Sequence, residues 1–248
     1  MSADNPKGGI TAQFAVVFLH GFLGGPQQFD FLLPAAAAAG YDTHALLLPG
    51  HGGDYRTFLG SSRRSWQAHV QSELNTLCAQ YTRVLLVAHS MGGLLSILAT
   101  LNNPGRVCGI FCLALPLHLK VSFHGIRNNV KYVTGLGKQD ALIKAARESC
   151  SVSGITFYNA PLMVRQLLDL SRLSIDARRA LHQLNVPLMA LHSQHDECVS
   201  KKSIQAIKYA RTQEIIVLPA SSHFLYPEND RATVCEAFSC FASACFSR

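Results

Sequence analysis

The sequence contains no apolar run long enough to cross a membrane. A membrane-spanning helix needs roughly 18 consecutive apolar residues, and no stretch of this chain approaches that length. The opening residues, MSADNPKGGI, also lack the apolar segment of a secretory signal peptide. We therefore expect neither a signal peptide nor a membrane span, and the sequence favours the cytoplasm.

Motifs that hold metals or nucleotide cofactors are missing as well. The eight cysteines form no C-x-x-C pair, and most lie in apolar stretches, which favours buried free thiols over disulfides or a zinc site. Neither H-E-x-x-H nor H-x-H occurs. The glycines from Gly21 to Gly25 lack the spacing of a dinucleotide or phosphate loop. The sequence therefore predicts no metal and no cofactor.

Charged residues are sparse, at 15% of the chain against 48% hydrophobic residues, a balance typical of a globular protein. The net charge of +7 is spread along the chain. The densest groups of basic residues are three adjacent pairs, Arg63-Arg64, Arg178-Arg179 and Lys201-Lys202. No aromatic residues interleave with them, so we expect solvated basic surfaces and no nucleic-acid partner. Weak attraction to anionic surfaces or substrates stays open.

Short apolar runs alternate with helix-like patterns along most of the chain. The predicted strands are 14–19, 42–48, 84–87, 106–115, 186–191 and 214–218. The predicted helices are 27–39, 65–81 with Ser65 as its cap, 93–102, 200–209 and 230–242. In a chain of 248 residues, this alternation predicts an α/β core, a mostly parallel sheet with helices on both faces. Ligand sites of such sheets lie at the carboxyl ends of the strands.

The stretch from 116 to 184 interrupts this alternation. It contains no strong strand but has helix-like patches at 141–147 and 162–170. A connection of this length is too long for a plain loop in a compact α/β domain. We therefore predict a mostly helical cap, residues 116–184, inserted into a core made of residues 1–115 and 185–248.

The turn after the third predicted strand carries the candidate nucleophile, Ser90. The apolar run 84–87 is followed by AHSMG at 88–92 and then by a helix-compatible pattern. A serine on a sharp strand-to-helix turn, with small residues two positions before and after it, is the arrangement of a nucleophile elbow. Small residues are needed because the turn brings neighbouring backbones close together. Ala88 stands where the strict pattern has glycine, and the five-residue pattern alone is a weak signal.

Candidates for the acid and the base occur later in the chain. A serine hydroxyl needs a base to remove its proton, and the base needs a carboxylate that holds its tautomer. In elbow enzymes these groups follow in the order serine, acid, histidine. Asp196 follows a buried strand, and His223 lies on the loop after the last strand, so both are expected near Ser90.

Other assignments of the acid and the base stay open. Asp196 could cap the following helix, and His223 could be an ordinary loop residue. His192 and His195 are alternative bases, but they would reverse the expected order. Three aspartates that lie in or beside the predicted cap are weaker candidates for the acid: Asp140, Asp169 and Asp176.

Two backbone N–H groups are expected to form an oxyanion hole. Met91, the residue after the nucleophile, supplies one of them at the start of a helix. Phe22 is the candidate for the other, because it lies in the glycine-rich loop HGFLGG after the first strand. A plain glycine-rich turn is the alternative interpretation of this loop. His20 and His89 are expected to orient or pack these loops, and His51 to be a turn residue.

With these residues in place, the chain resembles the α/β-hydrolase superfamily over nearly its whole length. Within that superfamily it is most similar to bacterial carboxylesterases and monoacylglycerol lipases. The resemblance is carried by VVFLHGFLGG, ALLLPGHGG, VLLVAHSMGGLLSILA, MALHSQHDECVS and SSHFLYPEND. It implies an α/β-hydrolase fold, a catalytic triad of Ser90, Asp196 and His223, and oxyanion donors at Phe22 and Met91. The cap sequence does not match the family segment by segment, so the resemblance does not identify the substrate.

The sequence therefore predicts a serine carboxylic-ester hydrolase that acts through an acyl-enzyme on small to medium acyl esters, including monoacylglycerols. Apolar residues of the cap and of the first loop are candidates to enclose the acyl chain, although they could equally pack the cap on the core: Leu23, Phe123, Ile126, Tyr158, Leu162, Met163 and Leu167. Alternative activities of the same triad are thioesterase, lactonase, perhydrolase or C–C bond hydrolase. A non-catalytic ligand-binding protein of the same fold is the alternative from another class.

Overall fold

Six parallel strands form one sheet in the computed structural model, which describes residues 12–120, 140–208, 210 and 213–247. The strands are β1 (Ala12–Leu19), β2 (Asp42–Leu46), β3 (Tyr81–His89), β4 (Val107–Leu113), β5 (Leu188–Ser193) and β6 (Gln213–Leu218). They are ordered β2-β1-β3-β4-β5-β6, and each neighbouring pair is parallel. The predicted α/β fold is confirmed.

Helices cover both faces of this sheet. The described α-helices are α1 (Leu33–Ala38), α2 (Tyr55–Gly60), α3 (Arg63–Gln80), α4 (Met91–Leu101), α5 (Ala141–Ser149), α6 (Val164–Ala180), α7 (Lys202–Ile207) and α8 (Glu228–Phe246). Side chains of α3, α4 and α6 form one buried cluster with the sheet, and side chains of α1 and α8 form a second cluster on the other face. Of the helices in the described ranges, none is both long and apolar enough to cross a membrane.

Strand β3 lies inside the sheet and is buried on both faces. Leu86 and Ala88 belong to the cluster under α3 and α4, whereas Leu85 and Val87 belong to the cluster under α8. This alternation follows from the two-residue period of a strand. It explains why the sequence shows a continuous apolar run here, since each face of the strand packs against a helical layer.

Several helix boundaries differ from the prediction, and in two helices single residues explain the difference. The predicted helix at 27–39 is wrong: the chain forms a 3₁₀ turn at Pro26–Phe29, and α1 covers only Leu33–Ala38. Pro34 lacks the N–H that a continuous helix would need at that position. Helix α3 begins at Arg63 rather than after Ser65, because Ser62 caps it and Ser65 completes a reciprocal capping box.

Between β4 and β5 the described residues form helices and turns. Besides α5 and α6, this stretch contains 3₁₀ turns at Ala160–Met163 and Leu181–Gln183. The segment after α5 lies against the loops of the sheet, through bridges that join Cys150 to Gly24 and Ser153 to Asp54. Helix α6 packs against α4. The division into a core and a cap at residues 116 and 184 stays a prediction.

Candidate active site

Ser90 lies on the turn between β3 and α4 in a backbone conformation that few non-glycine residues adopt. Its φ is +50° and its ψ is −118°. Residues held in such conformations cost free energy and persist where surrounding contacts impose them, commonly at functional sites. Here the Ser90 N–H donates to the Leu113 carbonyl at 2.9 Å, and the Ser90 carbonyl accepts from Gly93 at 2.9 Å. The predicted sharp turn is therefore present and held from both sides.

The close packing around this turn explains its small residues. A Cβ atom on Gly92 would lie 2.0 Å from the Leu19 carbonyl oxygen, so only glycine fits. Ala88 is different, because it lies within β3, where it pairs with Leu19 and Cys112. Its methyl group is fully buried in the core, and its φ is not positive. The departure from glycine at position 88 is accommodated without strain.

Asp196 and His223 form a buried pair. His223 Nδ1 lies 2.9 Å from Asp196 Oδ2, and the two side chains are only 5% and 4% exposed. Asp196 Oδ1 also accepts hydrogen bonds from the N–H groups of Cys198 at 2.8 Å and Val199 at 2.7 Å. Asp196 does not cap α7, whose N-cap residue is Lys201. The carboxylate instead orients the imidazole.

The electrostatics of the pair favour a charged acid and a basic imidazole. Burial by itself would lower the pKa of His223, but the charge and hydrogen bond of Asp196, with the charge of Glu197, raise it above its ordinary value. Burial would raise the pKa of Asp196, but His223 and the backbone N–H groups hold that pKa below its ordinary value. Asp196 therefore stays ionised beside a histidine that binds a proton readily.

His223 reaches the nucleophile turn through His89. His89 Nε2 lies 3.0 Å from the His223 carbonyl oxygen, and the two rings lie 5.0 Å apart. Burial lowers the pKa of His89 to about 3, so this ring is neutral and donates from Nε2. His89 directly precedes Ser90. No hydrogen bond joins Ser90 to His223 in the part of the chain that the structure describes, and such bonds are often long in unliganded enzymes.

The alternative acids and bases make other contacts. His192 is buried, and burial lowers its pKa to about 4. Within the described residues, the side chains of His192 and His195 donate no hydrogen bond to Asp196, which instead pairs with His223. The three other aspartates serve helix ends or ion pairs, since Asp140 caps α5, Asp169 binds Arg63 N and Arg172, and Asp176 binds the Arg63 guanidinium.

The loop after β1 lies directly against the nucleophile turn. A Cβ atom on Gly21 would lie 3.1 Å from Ser90 Cβ and 2.8 Å from His89 Nδ1, which requires glycine at this close approach. Phe22 packs edge-on against Phe58, with ring centroids 5.2 Å apart. Within the described residues, neither Phe22 N–H nor Met91 N–H donates to another group. Both proposed oxyanion donors are therefore unused.

His20 holds this loop in place. Its Nδ1 lies 2.9 Å from the Gly21 carbonyl oxygen, and its Nε2 accepts from Leu48 N–H at 3.0 Å. Burial lowers the pKa of His20 to about 3, so one ring nitrogen donates and the other accepts. The ring of His51 lies 4.7 Å from that of His20. The loops after β1 and β2 are thus joined through a neutral histidine.

The predicted acyl-pocket residues are dispersed. Met163 is buried in the same cluster as Met91, and half-buried Leu23 packs against that cluster. Tyr158, Leu162 and Leu167 are 91%, 59% and 48% exposed. Phe123 and Ile126 lie outside the described residues. A role of these residues in binding the acyl chain stays a prediction.

Two supporting residues were not predicted from the sequence. Glu197 Oε2 accepts from His223 N–H at 3.2 Å, and Gln28 Oε1 accepts from Gly21 N–H at 2.8 Å. The position of Glu197 directly after the candidate acid was a usable signal. Nothing in the sequence around Gln28 indicates that its amide supports the loop seven positions earlier.

One group of side chains in the described part of the chain lies close enough together to be considered as a metal site. Ligand atoms of Asp196, Cys198 and His223 all lie within 4.8 Å of one another. The Asp196 carboxylate and His223 Nδ1 form the hydrogen bond described above, and burial raises the pKa of the Cys198 thiol well above its ordinary value. A protonated thiol is a poor metal ligand. We therefore interpret these residues as the acid and base pair with a neighbouring thiol.

Comparison with known proteins agrees with the observed fold. The sequence pattern described as "Alpha/beta hydrolase family" matches residues 16–237. The chain belongs to the alpha/beta hydrolase family. This alpha/beta hydrolase is 25% identical over 239 residues to a thermostable monoacylglycerol lipase from Bacillus sp. (strain H-257), covering 95% of this chain and 93% of the relative. It is 24% identical to a carboxylesterase from Bacillus subtilis (strain 168), covering 81% and 78% of the two chains.

Solved structures show the same fold. One, from the pair of metagenome-derived lipolytic enzymes LipS and LipT, superimposes with a TM-score of 0.74 at 21% identity and covers 95% of both chains. A soluble variant of monoglyceride lipase from Saccharomyces cerevisiae, in complex with a substrate analog, gives a TM-score of 0.73 at 15% identity and covers 94% of this alpha/beta hydrolase and 87% of that chain. The predicted family and fold are confirmed, and the names of the relatives agree with the predicted enzyme class.

Proposed function

We propose that this alpha/beta hydrolase is a carboxylic-ester hydrolase with Ser90 as nucleophile, His223 as base and Asp196 as orienting acid. The observation that carries the proposal is the buried Asp196–His223 pair beside a serine held at φ +50°. Ser90 Oγ attacks the ester carbonyl carbon while His223 Nε2 takes its proton. His223 then gives the proton to the leaving alcohol, which departs and leaves an acyl-enzyme. Water deprotonated by His223 attacks the acyl-enzyme and releases the carboxylic acid.

The tetrahedral intermediate carries a negative oxygen that needs preset donors. Phe22 N–H and Met91 N–H are proposed for this role because both donate to no other described residue. Met91 is also the first residue of α4, where the helix dipole favours negative charge. Donors of this kind contribute about 10²–10³-fold each in acyl-transfer enzymes.

The proposed substrates are small to medium acyl esters, including monoacylglycerols. Support comes from the relatives, which are named as a monoacylglycerol lipase and a carboxylesterase. The proposed cap reaches the site, since Ser151 N–H donates to the Leu23 carbonyl at 2.9 Å and Ser151 Oγ donates to the Gly24 carbonyl. Residues 116–184 are therefore proposed to form one side of the acyl site, with residues 1–115 and 185–248 as the core.

The test is hydrolysis of a panel of p-nitrophenyl esters and monoacylglycerols of increasing acyl length, alongside matched thioesters and lactones. Wild-type protein is expected to favour the oxygen esters, and Ser90→Ala is expected to abolish turnover. A fluorophosphonate probe should label the wild type at Ser90 and leave Ser90→Ala unlabelled. Full activity of Ser90→Ala would overturn the mechanism, and a preference for thioesters would reassign the substrate class.

A further inference from the structure

A basic cavity lies between α6, α7 and the segment after β4, and none of the proposed triad lines it. Its volume is about 480 Å³. Five of its seven lining residues are basic or histidine, and none is acidic: His118, Arg178, Arg179, His182 and Lys202. Two basic pairs that lie far apart in the sequence, 178–179 and 201–202, thus each contribute to one concave surface.

No carboxylate neutralises these cations within the described ranges. The acidic residues closest in sequence to Arg178 and Arg179 are engaged elsewhere, since Asp176 pairs with Arg63 at 2.7 Å and Asp169 pairs with Arg172 at 3.3 Å. Neither Arg178, Arg179 nor Lys202 forms an ion pair with a described residue. The cavity therefore carries an uncompensated positive charge.

Two of the basic residues, Arg178 and Lys202, act on His118. Arg178 Nη1 lies 3.1 Å from His118 Nδ1. The same guanidinium nitrogen lies 3.3 Å from His118 Nε2, so Arg178 contacts both ring nitrogens. Burial lowers the pKa of His118, and the positive charges of Arg178 and Lys202 lower it further. Both cations are therefore close enough to act on this imidazole.

The surrounding backbone presets this geometry. Arg178 Nη1 also donates to the Leu117 carbonyl at 3.1 Å, which holds the guanidinium in the cavity. His118 N–H donates to Ser203 Oγ at 2.9 Å, and Ser200 N–H donates to the His118 carbonyl at 2.9 Å, so α7 is joined to the segment that carries His118. Arg179 and Lys202 are exposed and line the cavity. A preset site of this kind loses less entropy when a ligand binds.

We propose that this cavity binds a phosphate group, either inorganic phosphate or a phosphate monoester carried by a soluble molecule or a lipid. A phosphate monoester carries a charge of about −1.5 to −2 at neutral pH and several acceptor oxygens. Two guanidinium groups and an ammonium group match that charge and offer more donors than a single carboxylate would use. The cavity is large enough to hold a phosphate group together with part of the molecule that carries it. The site is separate from the proposed ester hydrolysis.

Calorimetric titration with sodium pyrophosphate and with sodium phosphate, at constant ionic strength set by sodium chloride, tests the proposal. The protein is the Ser90→Ala variant, so hydrolysis plays no part in the signal. R179Q/K202Q removes two exposed cations from the cavity and is expected to weaken binding by about tenfold or more. R64Q/K208Q removes an exposed arginine and lysine that do not line the cavity and is expected to stay within about twofold.

Two results would overturn the proposal: no saturable binding by the starting protein, or equal weakening in both double variants, which would mean that only net charge matters. Sedimentation with phosphatidylcholine vesicles containing phosphatidic acid identifies the source of the phosphate group. If R179Q/K202Q loses vesicle binding and R64Q/K208Q retains it, the phosphate group belongs to a lipid headgroup. If R179Q/K202Q weakens pyrophosphate binding but both variants bind vesicles equally, the phosphate group belongs to a soluble compound.

Discussion

At the scale of single residues, the proposed chemistry depends on how neighbouring groups set the state of one imidazole. The Asp196 carboxylate accepts a hydrogen bond from His223 Nδ1–H, two backbone N–H groups hold Asp196, and Glu197 accepts from the backbone N–H of His223. These contacts leave Nε2 as the nitrogen that can act as a base. The carboxylates of Asp196 and Glu197 can each be replaced by an amide of nearly the same volume.

Asp196→Asn is expected to lower kcat/KM for p-nitrophenyl butyrate by about 1,000-fold or more, because an amide donor favours the wrong tautomer of His223. Circular dichroism should show an unchanged fold. Asp176→Asn makes the same chemical change in an ion pair with Arg63 and is expected to stay within about twofold of wild type. Comparable loss in both variants would contradict the assignment of Asp196.

The pH dependence of kcat/KM has a defined sign. His223 must be neutral to accept the proton of Ser90, so kcat/KM should fall as the pH decreases through the pKa of His223, which lies above its ordinary value. Glu197→Gln keeps an acceptor for His223 N–H but removes a charge that raises this pKa. The acid limb should therefore move to lower pH.

The matched control for Glu197→Gln is Glu214→Gln, which removes an exposed carboxylate on β6. Its pH profile is expected to coincide with that of wild type. If the two profiles move together, net charge rather than the contact at His223 determines the shift.

At the scale of elements, the junction of β1, β3 and α4 sets the position of Ser90. The first turn of α4 passes so close to the end of β1 that the Leu19 carbonyl oxygen leaves no room for a side chain at position 92. The helix can therefore present its N-terminal N–H groups next to the loop after β1. The proposed oxyanion hole requires the same close approach of α4 to the end of β1.

Gly92→Ala is expected to lower the free energy of unfolding by about 1–3 kcal/mol or more, since its Cβ would overlap the Leu19 carbonyl oxygen. Urea denaturation measures this change. Gly60→Ala is the control, because a Cβ at that end of α2 meets nothing within 4 Å. It is expected to be neutral or slightly stabilising, and similar destabilisation by both changes would contradict the packing argument.

At the scale of the whole molecule, the stretch between β4 and β5 shares the core of the sheet. Leu173 of α6 is fully buried in the same cluster as Leu94 of α4 and Trp66 of α3. Trp66 is the single tryptophan of the chain, so its fluorescence reports on this cluster. We infer that α6 and the sheet unfold together.

Leu173→Ala is expected to lower the free energy of unfolding by about 2–5 kcal/mol. The midpoints from Trp66 fluorescence and from far-ultraviolet circular dichroism should shift together in urea. Leu168→Ala removes the same atoms from a side chain of α6 that is 52% exposed, and it is expected to change stability by less than about 0.5 kcal/mol. A shift in circular dichroism alone would indicate that this stretch unfolds separately.

The sequence predicted the features that depend on local pattern. Continuous apolar runs such as 84–87 identify buried strands because each face must pack against helices, and their alternation with helices implies a parallel sheet. Boundaries were less accurate where a single residue decides them. Pro34 divides the predicted helix at 27–39, and Ser62 rather than Ser65 caps α3.

The sequence by itself thus determined the strand and helix alternation, the turn that carries Ser90 and the chain order of Asp196 and His223. Only the tertiary structure decided that His223 contacts Asp196 rather than solvent and that His20 joins two loops. It also decided that Arg178 and Arg179 of α6 and Lys202 at the start of α7 meet around one cavity. The reason is physical: apolar periodicity and turn chemistry act over a few residues, whereas contacts between distant side chains depend on how the sheet and its helices pack.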